Sequence, residues 1–267
     1  MSQLPFLTIP LFLFAIGVTS QAAELMTTSD STHAWKKLPL ISNGEVASEW
    51  KHTGYGTFTV VDGTLRTDND ARGLGLLYFQ KEKLGDCQIR VVYRPENPRS
   101  NSGVYVRIAD GLPDAPALDP VERQADGSLS PEQTEVMKNA SEKEQGPWYA
   151  VHHGFEIQIC DAANPAHRTG SIYSLTTAAE FPKSENEWNE MIITLDGTRI
   201  TTAINGKRVV TWDSKSDEMP PRNIWYEPKR EPVRPTKGYL GLQNHDPDDV
   251  VFFKEISVRP LGVTQSE

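Results

Sequence analysis

Cysteine is scarce in this sequence, because its 267 residues include only Cys87 and Cys160. On folding, a chain of this length buries roughly 70 to 75% of the surface that it exposes when unfolded, so its stability does not depend on disulfide bonds. Read as strands with a period of two, Cys87 is in phase with Ile89, whereas Cys160 is in phase with Glu156. These phases point the two thiols to opposite faces, which disfavours a bond between them. The sequence therefore predicts two free cysteines.

Basic residues are also in deficit, with 27 Lys and Arg against 36 Asp and Glu and a net charge of -9. Nucleic-acid binding needs a clustered basic surface, so a nucleic acid is not expected as a partner. The sequence has no Gly-rich phosphate loop, no Gly-x-Ser-x-Gly elbow and no Cys-x-x-Cys pair. These absences argue against nucleotide chemistry and serine hydrolysis.

Long apolar runs are missing except for one near the N-terminus, from Leu4 to Val18. Ser20 and Ala22 follow it and fit the small-residue rule for signal-peptide cleavage. No later segment reaches 18 uncharged apolar residues, so no membrane span is expected after signal removal. We expect residues 1–22 to be a signal peptide and the protein to be exported to the periplasm or the extracellular space. Residues 23–267 are expected to form a single domain.

Short strands separated by turn dipeptides make up most of the remaining chain. Asp62-Gly63, Asp196-Gly197 and Asn205-Gly206 lie between apolar or β-branched runs, which is the strongest short-range signal for a hairpin. Further strands are predicted at residues 87–94, 103–108, 171–175, 191–195, 199–204, 208–212, 239–243 and 250–261. Ten or more strands in one domain require two packed sheets. The predicted fold class is all-β, a two-sheet antiparallel β-sandwich.

An insert at about residues 110–148 interrupts this pattern and is rich in Pro, Asp, Glu and Gln. Within it, Ser130 suits a helix N-cap, Pro131 suits the first helical position, and good helix formers continue to Glu144. This is the one short helix that the sequence predicts. An insert of this kind is either a solvated decoration or a lid over a polar face. We expect decoration.

A second irregular stretch, residues 214–237, is rich in proline and carries Trp225 and Tyr226. Aromatic rings in a loop suit stacking on a sugar, and they equally serve to pack a loop against the protein. Both interpretations stay open for this loop.

The stretch Gly154–Asp161, GFEIQICD, alternates apolar and polar residues. On a strand, its Phe and two Ile residues take one face, while Glu156 and Gln158 take the other. A carboxylate and an amide held side by side on a rigid strand suit a sugar ligand. The alternative is an antiparallel strand with one wet face.

Two arginines also take polar strand positions. In the strand NSGVYVR, Arg107 alternates onto the same face as Gly103 and Tyr105. If this face is also the face of Glu156, the arginine can form an ion pair with Glu156 or with an anionic intermediate. Arg94 has the polar phase of its own strand. Strand arginines often cover an exposed face, and that alternative stays open.

The histidines are candidates for proton transfer, because an ordinary histidine pKa near 6.5 suits both acid and base roles. His245 has the phase of Gln243 at the end of an apolar strand, His152 has the phase of Glu156, and His167 follows that strand. A histidine beside a turn is also commonly a hydrogen-bonded surface group. The histidines lack the spacing of a metal motif, so no metal site is predicted, and a divalent metal in a site assembled by the fold is left open.

A comparison with laminarinase-type β-glucanases bears on the chemistry. That family carries Glu-x-Asp-x-x-Glu on one strand, whose two glutamates serve as nucleophile and acid. Here the corresponding positions are Glu156, Gln158 and Asp161, and the phase of Asp161 opposes that of Glu156 unless a bulge intervenes. Retaining hydrolysis requires two carboxyl groups about 5 to 5.5 Å apart. This strand does not supply them.

Several motifs in order resemble the 3-keto-disaccharide hydrolase family, which includes 3-keto-glucoside lyase and 3-keto-2-hydroxy-glucal hydratase domains. They extend from about Trp35 to Leu261 and read NSGVYVR, GFEIQICD, HRTGSIY, EWNEMII, INGKRV, GYLGLQNH and VVFFKEISVRPL. The resemblance implies a concanavalin-like jelly roll. It also implies cleavage of a glycoside that a partner sugar 3-dehydrogenase has already oxidised at C3. The steps are C2 deprotonation, β-elimination at C1 and hydration, with no cofactor evident.

The resemblance implies roles for individual side chains. Glu156 or His245 is the base, and Arg107 supports the enolate oxygen. The expected substrate-binding residues are Asn101, Gln158, Tyr173, Arg94, Gln243, His152, Trp225 and Tyr226.

Two other functions fit the sequence. A non-catalytic carbohydrate-binding module uses the same fold and polar face, and it predicts saturable glycan binding without loss of the C2 hydrogen. A structural or cell-surface interaction domain predicts no sugar binding.

Overall fold

The computed structural model describes residues 34–119, 123–125, 128–181 and 187–261. The predicted signal peptide, residues 1–22, lies outside these ranges. None of the helices in them has the length and apolar character needed to cross a membrane.

Fifteen β-strands form the framework of the described chain. They are β1 Lys36–Leu38, β2 Ile41–Ser42, β3 Glu45–Val46, β4 Trp50–Gly54, β5 Thr57–Val61, β6 Thr64–Asp68, β7 Gly75–Leu84, β8 Cys87–Pro95, β9 Ser102–Ile108, β10 Phe155–Ile159, β11 Asn189–Asp196, β12 Arg199–Ile204, β13 Lys207–Asp213, β14 Gly238–Asn244 and β15 Val251–Pro260.

The strands form two main sheets. The larger sheet has eight strands, in the order β13-β12-β11-β8-β15-β6-β5 with β1 paired to β15, and the smaller has five, in the order β10-β9-β14-β7-β4. The pairings within both sheets are antiparallel, and β2 and β3 form a separate ribbon. The predicted all-β, two-sheet antiparallel sandwich is confirmed.

All three predicted hairpins are present, as β5–β6, β11–β12 and β12–β13. Asp62 and Gly63 both have positive φ, as do Asn205 and Gly206. Such backbone angles match the right-handed twist of the flanking strands, and Asn, Asp and Gly adopt them at the lowest cost.

The core lies between the two sheets and is filled by alternate residues of facing strands. On β10, Phe155, Ile157 and Ile159 belong to this core, and Ile89 and Val91 of β8 pack in the same cluster from the other sheet. The even-numbered residues of β10 therefore face away from it. The smaller sheet thus presents its outer face for other use.

One predicted strand is absent from the described residues, and five observed strands were not predicted. Residues 171–175 do not form a strand, because Ser174 has a positive φ and the Leu175 and Thr176 N–H groups both bond the carbonyl of Ile172. A single bridge between Ile157 and Ile172 remains of that prediction. The strands that were not predicted are β1, β2, β3, β4 and β7.

The insert contains the predicted helix, α1, at Pro131–Glu142. Ser130 is its N-cap, and the Ser130 and Gln133 side chains satisfy each other's backbone N–H groups. A second helix, α2 at Pro147–His153, contradicts the expectation of a single helix. Its Pro at the first helical position is a start signal of the same kind.

Both helices pack against the outer face of the smaller sheet. Ala140 of α1 and Trp148 of α2 share a buried cluster with Leu76 and Tyr105 of the sheet. The described part of the insert therefore covers part of that face. The expectation that the insert is a solvated decoration is wrong.

Candidate functional site

A cavity of about 350 Å³ lies on the outer face of the smaller sheet. Its size falls in the range of small-molecule sites. The strands, the insert and the proline-rich loop all contribute to its lining, which comprises Leu74, Asn101, Tyr105, Leu129, Met137, Trp148, Val151, Glu156, Gln158, His167, Tyr173, Trp225, Tyr226, Gln243, His245 and Asp246.

Polar residues of three neighbouring strands form the floor of the cavity. Glu156 of β10 lies opposite Tyr105 of β9, and Gln243 of β14 lies close to both. The alternation along GFEIQICD places Glu156 and Gln158 on this face, since their neighbours are committed to the core. The floor is therefore a direct product of strand periodicity.

The Glu156 carboxylate is held by the side chains around it. The Tyr105 hydroxyl donates to Oε2 of Glu156 at 2.8 Å, and Nε2 of Gln243 donates to the Tyr105 hydroxyl at 3.1 Å. A Cβ at Gly103 would lie 2.3 Å from Oε1 of Glu156. Glycine at this position therefore leaves the space that the carboxylate occupies.

Burial sets the protonation of Glu156. It raises the pKa of Glu156 to about 7, against the opposing effects of the Tyr105 hydrogen bond, the His245 charge and Gln243. A carboxyl group with this pKa exchanges its proton readily at neutral pH, which is the property of an acid–base catalyst.

His245 forms a pair with Asp249 at the edge of the cavity. Nδ1 of His245 lies 2.8 Å from Oδ2 of Asp249, and the Asn101 N–H donates to the other Asp249 oxygen at 3.0 Å. Burial lowers the pKa of His245, but the Asp249 hydrogen bond and the Asp246 and Asp249 charges outweigh it and raise the pKa overall. The pairing at Nδ1 leaves Nε2 as the nitrogen available for proton transfer.

His245, Asp246 and Asp249 form a group able to hold a cation. One ligand atom from each lies within 4.8 Å of the others. An imidazole with two carboxylates is a donor set that divalent transition metals accept. The same carboxylates also serve the protein itself, since Asp249 binds His245 and Asp246 pairs with Arg123.

Aromatic rings form the wall above the floor. Trp225 packs against Trp148 with ring centroids 5.5 Å apart and against Tyr226 at 5.4 Å. The Ser141 hydroxyl of α1 donates to the Trp225 carbonyl at 3.0 Å. The insert and the proline-rich loop therefore build one continuous wall, of the kind on which sugar rings stack.

Two side chains beside Glu156 form a stacked pair. The rings of His167 and Tyr173 lie 4.7 Å apart, and the Tyr173 N–H donates to the Glu156 carbonyl at 2.9 Å. Burial raises the pKa of the Tyr173 hydroxyl far above its ordinary value, so this group stays a neutral donor. His167 bonds the Ser174 hydroxyl through Nε2 at 2.7 Å, and burial lowers its pKa.

Two buried acceptors on the lining have no protein partner in the described residues. They are Oδ1 of Asn101 and Oε1 of Gln243. Buried polar atoms are nearly always hydrogen-bonded, so these two oxygens are exceptions among the residues that line the cavity.

Arg107 is not part of the site, which corrects the expectation from its phase. A bulge in the β9–β14 pairing and a φ of 55° at Arg107 reverse the alternation. Ile108 consequently packs with Tyr105, while the Arg107 guanidinium lies buried 3.5 Å from Asp86.

Arg94 and His152 also lie outside the cavity. Arg94 is on β8 of the larger sheet, over the rings of Trp188 and Phe252. His152 belongs to α2, where its Nδ1 accepts the Lys229 N–H and its Nε2 bonds the Ser141 carbonyl. Phase with Glu156 does not apply to the helical residue His152, and Arg94 belongs to the other sheet, so neither residue is among those that line the cavity.

The remaining candidates all line the cavity: Glu156, His245, Asn101, Gln158, Tyr173, Gln243, Trp225 and Tyr226. Tyr105, Trp148 and Asp249 were not predicted as site residues. Tyr105 has the phase of the polar face, and Asp249 follows His245 at a spacing of four, so both carried a usable signal. Trp148 was hidden by the unrecognised helix α2.

Comparison with protein families gives one match over most of the chain. The family model of the 3-keto-alpha-glucoside-1,2-lyase-like domain matches residues 35–259. A comparison with curated proteins gives no significant match.

Solved structures share the fold. Two proteins from Parabacteroides distasonis ATCC 8503, both provisionally assigned as glycosyl hydrolases, resemble this chain. The first has a TM-score of 0.56 and 22% identity, covering 85% of this chain and 100% of its own. The second has a TM-score of 0.54 and 17% identity, covering 82% and 92%. At these identities the likeness establishes the two-sheet fold.

Proposed function

Because this chain belongs to the 3-keto-alpha-glucoside-1,2-lyase-like domain family, we propose that it cleaves 3-keto-glycosides by elimination across C1 and C2, followed by hydration. The observation that carries the proposal is the buried Glu156 carboxyl group, whose pKa of about 7 suits proton abstraction at the floor of an aromatic-walled cavity.

The chemistry needs a base and an acid. A ketone at C3 acidifies the C2–H bond, so a base removes that proton and leaves an enolate. The enolate electrons form the C1–C2 double bond as the C1–O bond breaks, and the leaving oxygen takes a proton. Addition of water across the double bond of the 2-hydroxy-3-keto-glucal then restores a 3-keto sugar. The net result is hydrolysis of the glycosidic bond.

Glu156 is the base in this proposal. Its pKa of about 7 lies near the operating pH, and Tyr105 and Gly103 fix its position. His245 is the acid, because pairing with Asp249 raises its pKa and so favours the protonated ring. The two groups therefore have environments that suit different roles, one as base and one as acid.

Neutral donors replace Arg107 as the support for the enolate. The half-buried Tyr173 and the buried Gln158 line the cavity beside Glu156, and their hydroxyl and amide groups offer hydrogen bonds where negative charge develops. Asn101 and Gln243 line the same cavity and contact the sugar hydroxyl groups in this proposal.

The proposal extends to the cellular setting. A sugar 3-dehydrogenase supplies the oxidised substrate, so the proton transfers described here require no redox cofactor of their own. The apolar run Leu4–Val18 supports action outside the cytoplasm, after export.

The decisive experiment follows a 3-keto-glucoside in deuterated water with the wild-type protein, Glu156→Gln and the control Glu45→Gln, whose residue is exposed on β3. Loss of a general base is expected to reduce turnover by about 10²- to 10⁴-fold. The hydrated product is expected to carry deuterium at C2. Full turnover by Glu156→Gln would remove this residue from the mechanism.

A carbohydrate-binding module is the second candidate, because the Trp148–Trp225–Tyr226 wall suits sugar stacking without chemistry. It predicts saturable binding of an unoxidised glycan, which calorimetry measures, and no exchange of the C2 hydrogen. The deuterium experiment separates the two functions.

A further inference from the structure

A second cavity, of about 290 Å³, shares Met137 of helix α1 with the first. Four apolar residues line it, Ala71, Leu118, Val136 and Met137, together with Arg72, Asp119 and Gln133. No role in the chemistry above requires this space.

Met137 lies between the two cavities, because it lines both of them. Methionine is unbranched and has three rotatable bonds, so it adapts to irregular ligands at low cost. A molecule seated in the first cavity can therefore extend a substituent past this side chain into the second.

The second cavity differs from the first in chemistry. Among the described residues, no aromatic ring lines it. The Arg72 guanidinium is already bonded to Asp70 at 2.9 and 2.7 Å and to the Leu118 carbonyl at 3.2 Å. Oε1 of Gln133 accepts the Ser130 N–H within the helix cap.

Most of the surface that this cavity offers is apolar, its Arg72 guanidinium is engaged, and its described lining has no ring for stacking, so it suits a second sugar less well than the first cavity does. It is suited to apolar surface, since burying such surface gains about 25 cal/mol per Å² without requiring polar partners.

We propose that the second cavity is a subsite for an apolar leaving group, so that the preferred substrates are glycosides of an aryl or alkyl alcohol. This inference rests on the proposed function, because it assumes that the first cavity holds the sugar ring that loses its C1 substituent. Val136 is the residue that reports on it, since it lines the second cavity alone and is 42% exposed.

A kinetic experiment compares phenyl and methyl 3-keto-glucosides of the same anomeric configuration. In Val136→Glu, the ratio of kcat/KM for the phenyl over the methyl substrate is expected to fall about 10-fold, the scale on which hydrophobic pockets discriminate. The matched control is Val61→Glu, at an exposed β5 position of the larger sheet, which keeps the wild-type ratio. An unchanged ratio in Val136→Glu overturns the subsite.

A binding experiment keeps this result separate from the proposed function. The chain has five methionines, and methyl labelling with assignment through Met137→Leu identifies the Met137 signal by NMR. Titration with 2-naphthol, a neutral aromatic alcohol, is expected to shift this signal saturably in the wild type and in Trp225→Ala, and at least about 10-fold more weakly in Val136→Glu.

The titration tests the apolar subsite, whereas turnover tests the proposed elimination chemistry, so the two experiments can fail independently. Absence of a saturable shift, or an equal shift in Val136→Glu, overturns the subsite even if the protein cleaves 3-keto-glucosides. A shift that depends on Val136 in a protein without turnover supports the subsite and contradicts the elimination chemistry.

Discussion

The Tyr105 hydroxyl donates a 2.8 Å hydrogen bond to Oε2 of Glu156, across neighbouring strands of the smaller sheet. This bond favours the charged form of a carboxyl group whose burial favours the neutral form. The balance keeps the pKa of Glu156 about 7 instead of higher, so the pair sets the pH at which the proposed base becomes active.

Removal of this donor is expected to shift the pH dependence. In Tyr105→Phe the pKa of Glu156 rises further, because the carboxylate loses a charge-assisted hydrogen bond, and the acidic limb of kcat/KM moves up by about one pH unit. The measurement is a pH–rate profile. The matched control is Tyr93→Phe, since the Tyr93 hydroxyl is buried without a partner among the described residues. An unmoved acidic limb in Tyr105→Phe would show that the bond does not tune the base.

Gly103→Ala tests whether the position of the carboxylate matters. The new methyl group would lie 2.3 Å from Oε1 of Glu156, so the carboxylate must move. A displacement on the order of 1 Å costs about 10²-fold in rate, and the fold is expected to survive because φ at Gly103 is not positive. Gly85→Ala is the control, since its methyl group would approach other atoms no closer than 3.9 Å. Equal turnover by the two variants would contradict the assignment.

The part of this site that could be predicted from the sequence is the part that follows from the alternation of residues along strands. Alternation along Gly154–Asp161 identifies Glu156 and Gln158 as cavity residues. One face of this strand packs in the core, so its apolar residues must take that face and its polar residues the opposite one. Turn dipeptides such as Asn205-Gly206 identify hairpins for the same local reason. Both signals lie within a few residues of the structure that they determine.

The predictions that were wrong concern residues whose positions depend on contacts with parts of the chain that are distant in sequence. Arg107 leaves the polar face because β9 and β14 pair with a bulge, and the alternation of β9 alone does not reveal it. His152 was placed on a strand because the short helix α2 was not recognised. The match of the second cavity to an apolar group depends on packing between the loop at Ala71 and helix α1, which has no counterpart in the linear pattern.

Glu156 is also expected to make stability depend on pH. Between its ordinary pKa of 4.5 and the folded value of about 7, the folded protein keeps a proton that the unfolded chain has lost. The free energy of unfolding therefore falls as pH rises through this window, by about 3 kcal/mol in total.

Glu156→Gln lacks this titration, so its Tm relative to wild type should rise by several degrees from pH 5 to pH 8. Calorimetry at the two pH values measures the effect. Glu82→Gln, at an exposed β7 position paired with Lys36, is the control with a constant difference. A constant difference for Glu156→Gln as well would contradict the raised pKa.

Asp249→Asn tests the acid. Asp249 raises the pKa of His245 through its hydrogen bond and its charge, so the variant lowers that pKa. The imidazole then loses its proton at lower pH, and the alkaline limb of the rate profile moves to lower pH. Asp248→Asn, at the exposed neighbouring position, is expected to leave the profile unchanged. If both variants retain the wild-type alkaline limb, His245 is not the acid.

Arg107→Met tests whether this arginine lies in the active site, as its strand phase predicted, or outside it, as in the structure. If Arg107 supported the enolate, its loss would reduce turnover by about 10²-fold or more. In the structure the Arg107 guanidinium is buried and its nearest charged group is Asp86. The Asp86 side chain is 51% exposed, so water hydrates it when Arg107 is replaced. Nε and Nη2 of Arg107 have no hydrogen-bond partner among the described residues. Replacing a buried charge of this kind by an apolar side chain of similar length is often neutral or stabilising.

We therefore expect Arg107→Met to keep kcat/KM within about twofold of wild type and to keep or raise Tm, because the change removes a desolvated cation and no contact with substrate. Steady-state kinetics with a 3-keto-glucoside and thermal unfolding measure the two effects. Arg107→Ala serves as the comparison, since it leaves a cavity in the core and should lower Tm without lowering kcat. A large loss of kcat in the methionine variant, with Tm maintained, would return Arg107 to the active site.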